Sequence, residues 1–268
     1  MRGTVKIEKG YEELFQFADS KRKFESISEY FGFPLGPDQR RRSKVSKKEL
    51  TDNEGRPVSV YFKLYGYRRL KRALSRIFKP TRSQSEIKNL KFFHQLGIPA
   101  CTPILQGEYR NIFGIARNCM IITKEIEGSI QLDQFITQLN ASDEPEAIKA
   151  SIRKQIIHST ATNLKKIHDH HFFHDDYKWR NILIKRTGTE TVEVFWIDCP
   201  NGYFTKNKIR KNHGIIKDLA CIDHGATGVI DKQERELFLS TYSGLPSTSP
   251  EFKSLAQQVV TYRQQKLE

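Results

Sequence analysis

Apolar positions recur along this chain in two rhythms, one helical and one alternating. Residues 11–31 (YEELFQFADSKRKFESISEYF) carry aromatics at roughly helical spacing and predict one or two short helices. Gly32, Pro34, Gly36 and Pro37 then break the pattern. RRRSKVSKKEL at 40–50 reads as an exposed basic strand, TDNEGRP at 51–57 as a turn, and VSVYFKLY at 58–65 as a strongly β-prone run. The three together predict an antiparallel pair. In residues 66–82 (GYRRLKRALSRIFKPTR), Leu70, Ala73, Leu74, Ile77 and Phe78 form one helical stripe, and seven Lys and Arg residues occupy the rest. SQSEIKNLKFFHQL at 83–96 predicts a second helix, capped by Ser83 or Ser85 and stopped by Gly97.

Residues 98–135 alternate short β-like runs with turns. IARNCMIITKEIEG reads as a buried strand followed by a bend, and SIQLDQFITQL as the start of a helix. A polar linker at 140–146 precedes the longest helix expected, 147–170, with Ile152, Ile156, Ile157, Thr160, Leu164 and Ile167 along one stripe. NILIKR at 181–186 and TVEVFWID at 191–198 predict a hairpin across Thr187-Gly188-Thr189. Helical patterns return at about 214–224, 231–243 and 250–266. The order, strands first and helices after, predicts an α+β chain of two lobes. Residues 1–127 form a β-rich lobe with an N-terminal helical extension and the basic amphipathic segment 66–82, and residues 128–268 form a mainly helical lobe.

Composition narrows the function. The 268 residues include 29 aromatics, which excludes disorder throughout, and the net charge is +14. Residues 1–91 hold 23 basic against 11 acidic side chains, and the remainder is nearly balanced at 22 against 20. The excess sits in the first third and implies a polyanionic partner. Cys101, Cys119, Cys199 and Cys221 include no C-x-x-C pair, so neither a structural zinc site nor a disulfide scaffold is expected, and a reducing cytoplasm is the simplest compartment. No run of eighteen apolar residues exists, and MRGTVKIEKGYEELF does not read as a secretory signal. Any membrane association is expected to be peripheral. The basic segment 66–82 suits an anionic membrane surface, and an ordinary surface helix is the plainer alternative.

Four places carry chemistry. FFHDDYKWRNILI at 172–184 contains His174, Asp176, Lys178 and Asn181; Asp198 ends the run VEVFWI; Lys63 stands alone in an apolar strand; Glu86 lies near the start of the next helix. Phosphoryl transfer needs such a set, because its catalysis is positioning plus charge neutralisation. Asp176 is the candidate for accepting the acceptor hydroxyl's proton, and Lys178 for stabilising the phosphoryl group in flight. Asn181 and Asp198 offer hard oxygens to magnesium. Lys63 is the candidate for holding nucleotide phosphates, with Glu86 as its ionic partner. Each has a plainer reading: a turn aspartate, a turn-closing asparagine, a snorkelling lysine, a first-turn helix acid. His174 is expected to buttress the loop.

Order and context resemble the protein-kinase signature set: strand lysine, helix glutamate, H-x-D-x-x-x-x-N loop and a metal aspartate after the next hairpin. The departures are specific. No G-x-G-x-x-G precedes Lys63, and Arg40-Arg41-Arg42-x-Lys44 is the basic run left to cover phosphates. Asp198-Cys199-Pro200 replaces D-F-G, no A-P-E follows, and residues 200–214 are too short for a long regulated activation segment. These argue for a small-molecule or glycan kinase of the same fold.

Through YFKLYGYRRLKRAL, SEIKNLKFFHQLGIPACTPILQGE, MIITKEIEG, FFHDDYKWRNILI, WIDCPNG and KDLACIDHGA, residues 56–243 resemble the lipopolysaccharide kinase (Kdo/WaaP) family. The resemblance implies a bilobal protein-kinase-like fold, ATP and Mg2+ as cofactors, and a heptose or Kdo hydroxyl of the inner-core glycolipid as acceptor. It places the reaction at the cytoplasmic face of the inner membrane, with residues 66–82 on its anionic surface. Carried over, Lys63 and Glu86 serve the ATP phosphates, Asp176 is the base, Asn181 and Asp198 hold magnesium, and Asp218 braces the catalytic loop. Lys124, Glu125 and Ile126 form the lobe hinge whose backbone binds adenine. The sequence after Asp176 and after Asp198 differs from better-defined members, which bears on the acceptor sugar. Rival readings are a kinase of the same fold acting on a protein or soluble metabolite, and a pseudokinase, which the intact Lys63, Asp176, Asn181 and Asp198 disfavour. No nucleic-acid-binding module is recognisable, so nucleic acid is not expected as a partner.

Overall fold

A computed structural model of the chain describes residues 2–35, 43–67 and 70–268. It divides into two compact units, Met1–Lys91 with Cys101–Glu125, and Phe92–Ala100 with Ile126–Glu268.

The first unit opens with a strand, β1 (Arg2–Ile7), in a segment where no element is predicted from the sequence. It lies at a sheet edge and is mostly exposed, with only Val5 and Ile7 turned to the core, an alternation too short to stand out. A 3-10 turn (Glu12–Phe15) and α1 (Lys23–Tyr30) follow, as expected for residues 11–31. Then come β2 (Lys44–Thr51), β3 (Pro57–Gly66), α2 (Leu70–Ser75), α3 (Arg82–Gln95, of which residues from Phe92 on belong to the second unit), β4 (Pro103–Arg110) and β5 (Ala116–Lys124). The five strands form one antiparallel sheet in the order β1-β4-β5-β3-β2. The pleat sorts β3 by parity. Val60, Phe62 and Leu64 join Phe24, Ile27 and Phe31 in one buried core, with Phe31 and Phe62 stacked at 4.7 Å. Lys63 and Tyr65 therefore fall on the other face, where they meet Glu86 of α3.

Two expectations change here. The segment 66–82 is not one continuous helix: α2 spans only six residues, and a separate helix starts at Arg82. Arg68 and Arg69 lie outside the described residues, as do Arg40, Arg41 and Arg42. Its apolar stripe is not packed on the protein throughout, since Ala73 is buried whereas Leu74, Ile77 and Phe78 are exposed. The start of α3 is set by neither Ser83 nor Ser85. Thr81 and Gln84 exchange reciprocal bonds, Gln84 Oε1 accepting from the Thr81 amide (3.0 Å) and Thr81 Oγ1 from the Gln84 amide (3.5 Å). This is a capping box, one residue pair earlier than expected. Gly97 does end the helix, at φ +66°.

The second unit contains β6 (Ser129–Gln131), α4 (Leu132–Ala141), α5 (Glu146–Asp169), β7 (Phe172–Phe173), a 3-10 turn (Trp179–Asn181), β8 (Ile182–Arg186), β9 (Val192–Trp196), β10 (Tyr203–Phe204), α6 (Lys208–Ala226), α7 (Lys232–Ser243) and α8 (Pro250–Lys266). The predicted hairpin is β8–β9, with β6 added at its edge, and β7 pairs with β10. In α5 the predicted stripe is buried at Ile152, Ile156, Thr160, Leu164 and Ile167. Asn207, Asp231 and Ser249 cap α6, α7 and α8 by accepting backbone N–H bonds. All four cysteines are buried and free.

Helix α6 supports the loop between β7 and β8 through two glycines. A Cβ at Gly214 would lie 2.5 Å from the Phe173 ring, and one at Gly225 would lie 2.4 Å from Trp179. Trp179 also donates its indole N–H to the Ile222 carbonyl (2.9 Å). Gly225→Ala should therefore destabilise the chain by about 1–3 kcal/mol, as overpacking does. Denaturant unfolding checks this; an unchanged midpoint would show that Trp179 has room to move.

Candidate active site

In the first unit the site is an ion pair held from below. Lys63 Nζ lies 3.2 Å from Glu86 Oε1, and the Tyr65 hydroxyl donates to Glu86 Oε2 at 2.6 Å. Glu86 is fully buried, and Lys63 keeps 15% of its side chain exposed. A buried carboxylate needs both charge and hydrogen bonds to offset its desolvation, and Lys63 and Tyr65 supply one of each. Tyr65 was not singled out from the sequence, although it stands two residues from Lys63 and so shares its face of β3.

The chain passes from the first unit to the second after Glu125. The Lys124 amide donates to Thr102 O (2.8 Å) and the Glu125 amide to Ser59 O (2.9 Å), so neither N–H is available to a nucleotide base. The Glu125 carboxylate pairs with Lys47 (2.7 Å). The Ile126 carbonyl accepts from the Ser129 hydroxyl (2.6 Å), while its amide makes no such bond among the described residues.

In the second unit Asp218, fully buried on α6, organises the loop after β7. Its Oδ2 accepts from the His174 amide (2.8 Å) and its Oδ1 from the Asp175 amide (2.8 Å). His168 Nε2 sits 3.2 Å from the same Oδ2, and its Nδ1 meets the Tyr242 hydroxyl at 2.7 Å. The loop is turned through Asp175, whose φ of +69° is tolerable for an aspartate. Asp175 pairs with Lys217 (2.5 Å). Burial opposes the charge on Lys217, but the Asp175 carboxylate outweighs it and holds the ammonium pKa above its usual value.

Asp176 thereby reaches the surface, 30% exposed, with Lys178 Nζ at 2.6 Å. Its carbonyl accepts from the Asn181 side-chain amide and from the Lys178 backbone N–H, both at 2.9 Å, which closes the loop on itself. Because Asn181 spends its NH2 group there, its side-chain oxygen keeps an acceptor's role. The Asn181 carbonyl accepts from the Ile197 amide (2.9 Å), and so ties the loop to the residue before Asp198. Asp198 has φ +59°, the same left-handed region as Asp175. Cys199 is buried and directs its thiol at the His174 carbonyl (3.8 Å). His174 is buried and lies parallel to the Phe93 ring, 6.1 Å between centroids. Burial lowers its pKa against the pull of the surrounding aspartates. Lys217 and His168 were not singled out beforehand; their partners are far away in sequence, and only the fold joins them.

Among the described residues, no group of three or more His, Cys, Asp and Glu side chains could by itself hold a metal ion. The expected donors, one carboxylate and one amide oxygen, fit a magnesium ion that draws its other ligands from phosphate and water. Among the described residues, no helix is long and apolar enough to cross a membrane.

A sheet unit with a strand-lysine to helix-glutamate pair, followed by a helical unit with a braced H-x-D-x-x-x-x-N loop, defines a protein-kinase-like fold. The family comparison is specific: the pattern of the Lipopolysaccharide kinase (Kdo/WaaP) family matches residues 36–242, and the chain belongs to that family. It is accordingly a kinase-family phosphotransferase. Its fold is similar to that of a WaaP solved in complex with acyl carrier protein, with TM-score 0.66, 17% identity and 100% of each chain covered. Further matches are the Rio2 kinase of Chaetomium thermophilum in an ADP/Mg2+-phosphoaspartate complex (TM-score 0.46, 15% identity, 86% and 69% covered) and a Toxoplasma gondii rhoptry antigen kinase domain (TM-score 0.46, 12% identity, 85% and 81% covered). No curated protein sequence matches the chain.

Proposed function

We propose that this chain transfers the terminal phosphoryl group of ATP to a heptose or Kdo hydroxyl of the lipopolysaccharide inner core, at the cytoplasmic face of the inner membrane. The observation that carries it is the loop fixed by Asp218, which presents Asp176 and Lys178 together at the surface. Asp176 orients the acceptor hydroxyl and takes its proton. Lys178, paired to it, offers positive charge to the phosphoryl group as charge spreads over its oxygens. Lys63, oriented by Glu86, binds nucleotide phosphate. Asn181 and Asp198 are the residues that would hold magnesium, which supplies neutralisation of phosphate charge. At the hinge, the bonds already made by Lys124 and Glu125 leave the Ile126 amide as the donor to adenine. Asp218 and His174 are positioning residues.

Incubation with labelled ATP and purified core glycolipids, followed by mass spectrometry, tests the acceptor; transfer only to a protein or a soluble sugar would replace it. Saturating Mg-ATP should raise Tm by about 5 °C in the wild type and not in Lys63→Met or Asp198→Asn. No shift in the wild type would favour a non-catalytic relative.

A further inference from the structure

The tip of the β4–β5 hairpin exposes two large apolar side chains, Ile112 (80%) and Phe113 (74%). The segment after α2 exposes Ile77 and Phe78, the latter at 92%. Exposed apolar side chains in isolation need no explanation, but these four are structurally joined. Arg110 Nη1 donates both to the Arg76 carbonyl (3.1 Å), next to Ile77, and to the Gly114 carbonyl (2.8 Å), next to Phe113. Glu108 holds the same guanidinium from behind (3.0 Å). Both displays are also stiff. Asn111 Oδ1 accepts from the Phe113 and Ile115 amides at 3.1 and 2.8 Å. Arg76 Nη1 donates to the Pro80 carbonyl at 2.7 Å, closing the turn that carries Ile77 and Phe78. The chain thus spends hydrogen bonds on keeping apolar side chains in water.

Charge says what should cover them. Residues 66–85 contain no Asp or Glu and seven Lys and Arg; residues 109–124 contain no Asp or Glu and three Lys and Arg. Apolar side chains in a predominantly basic setting, whose nearest carboxylate, Glu108, is already paired with Arg110, match a bilayer whose surface is anionic: the rings and alkyl groups enter at headgroup depth and the cations stay with the phosphates.

We propose that Ile112 and Phe113, clamped through Arg110 to Ile77 and Phe78, form one bilayer-contacting surface of the first unit, specific for anionic lipid. This rests on the reading of residues 66–82 as membrane-facing and adds the hairpin as its second, apolar half.

The test is co-sedimentation of the full chain with phosphatidylglycerol/phosphatidylethanolamine vesicles, alongside neutral phosphatidylcholine vesicles. The wild type should bind the anionic vesicles. Ile112→Ser with Phe113→Ser should weaken that binding about tenfold. Both side chains are exposed, so Tm and its shift with Mg-ATP should stay at wild-type values, which reads nucleotide binding separately. Phe113→Trp should show a blue-shifted emission on anionic vesicles only. A charge variant, Arg68→Ala with Arg69→Ala and Arg72→Ala, tests the parent reading. If it loses binding while the serine pair does not, the hairpin surface is refuted and the basic segment stands. If both variants bind like wild type, or the wild type ignores anionic vesicles, both readings fall. A wild-type dimer in solution that the serine pair dissociates would assign the surface to a second copy of the chain and overturn the proposal.

Discussion

Replacing Asp176 by asparagine is expected to lower phosphoryl transfer about a thousandfold, within the range set by general acid–base catalysis. The geometry makes this a clean experiment. The Asp176 carboxylate is partly exposed and faces Lys178, whereas the bonds that shape the loop go to its carbonyl. Asparagine keeps that backbone and the size of the side chain, and loses the basic oxygen. Tm should move little. Single-turnover transfer from labelled ATP is the measurement, and a rate within tenfold of wild type would remove Asp176 from the chemistry. A drop in rate matched by a drop in Tm would instead make it a structural residue.

The largest expected loss of stability is at Asp218. Asp218→Ala takes the acceptor away from the buried amide of His174, the half-buried amide of Asp175, and from His168. Each unsatisfied donor costs about 1–3 kcal/mol, and the change should total about 3–5 kcal/mol. Activity should fall as well, because the loop that carries Asp176 loses its fixed point. Asp218→Asn keeps one carbonyl acceptor and should lose less on both counts. Urea unfolding of the two variants decides this; a cost below about 1 kcal/mol for alanine would mean that the loop is held by its neighbours.

Much of the site was legible because its signals are local. Lys63 stands alone among apolar neighbours in a β-prone run, which marks it as a charge in need of a partner. The spacing from Asp176 to Asn181 is short enough to be one loop, and the hairpin β8–β9 had a turn between two β-prone runs. What was hidden depends on distance along the chain. Tyr65, His168 and Lys217 gain their roles from partners 21, 50 and 42 residues away. Strand β1 turns only Val5 and Ile7 to the core, too short an alternation to stand out before its pairing with β4 is seen. The segment 66–82 showed the opposite failure. Its periodicity suggested a single helix, but the structure divides it, and the Arg76 side chain closes the turn onto Pro80 instead. Periodicity reports which side chains share a stripe; it does not report whether the backbone stays helical long enough to use it. The start of α6 was also hidden, since its first turns are basic and exposed, and only Asn207 marks them.

The two glycines of α6 have a consequence for the length of the catalytic loop. Gly214 and Gly225 are eleven residues apart, about three helical turns, so they lie on one stripe roughly 16 Å from each other. Phe173 occupies one notch and Trp179 the other, and the five residues between them carry His174, Asp176 and Lys178. The helix is thus a ruler with two marks, and the loop is a string pinned at both. Adding or deleting a residue inside the string, or inside α6 between the marks, would unseat one of the aromatic pins. Length changes here should be tolerated far less well than changes of residue type, the reverse of what holds for an ordinary surface loop.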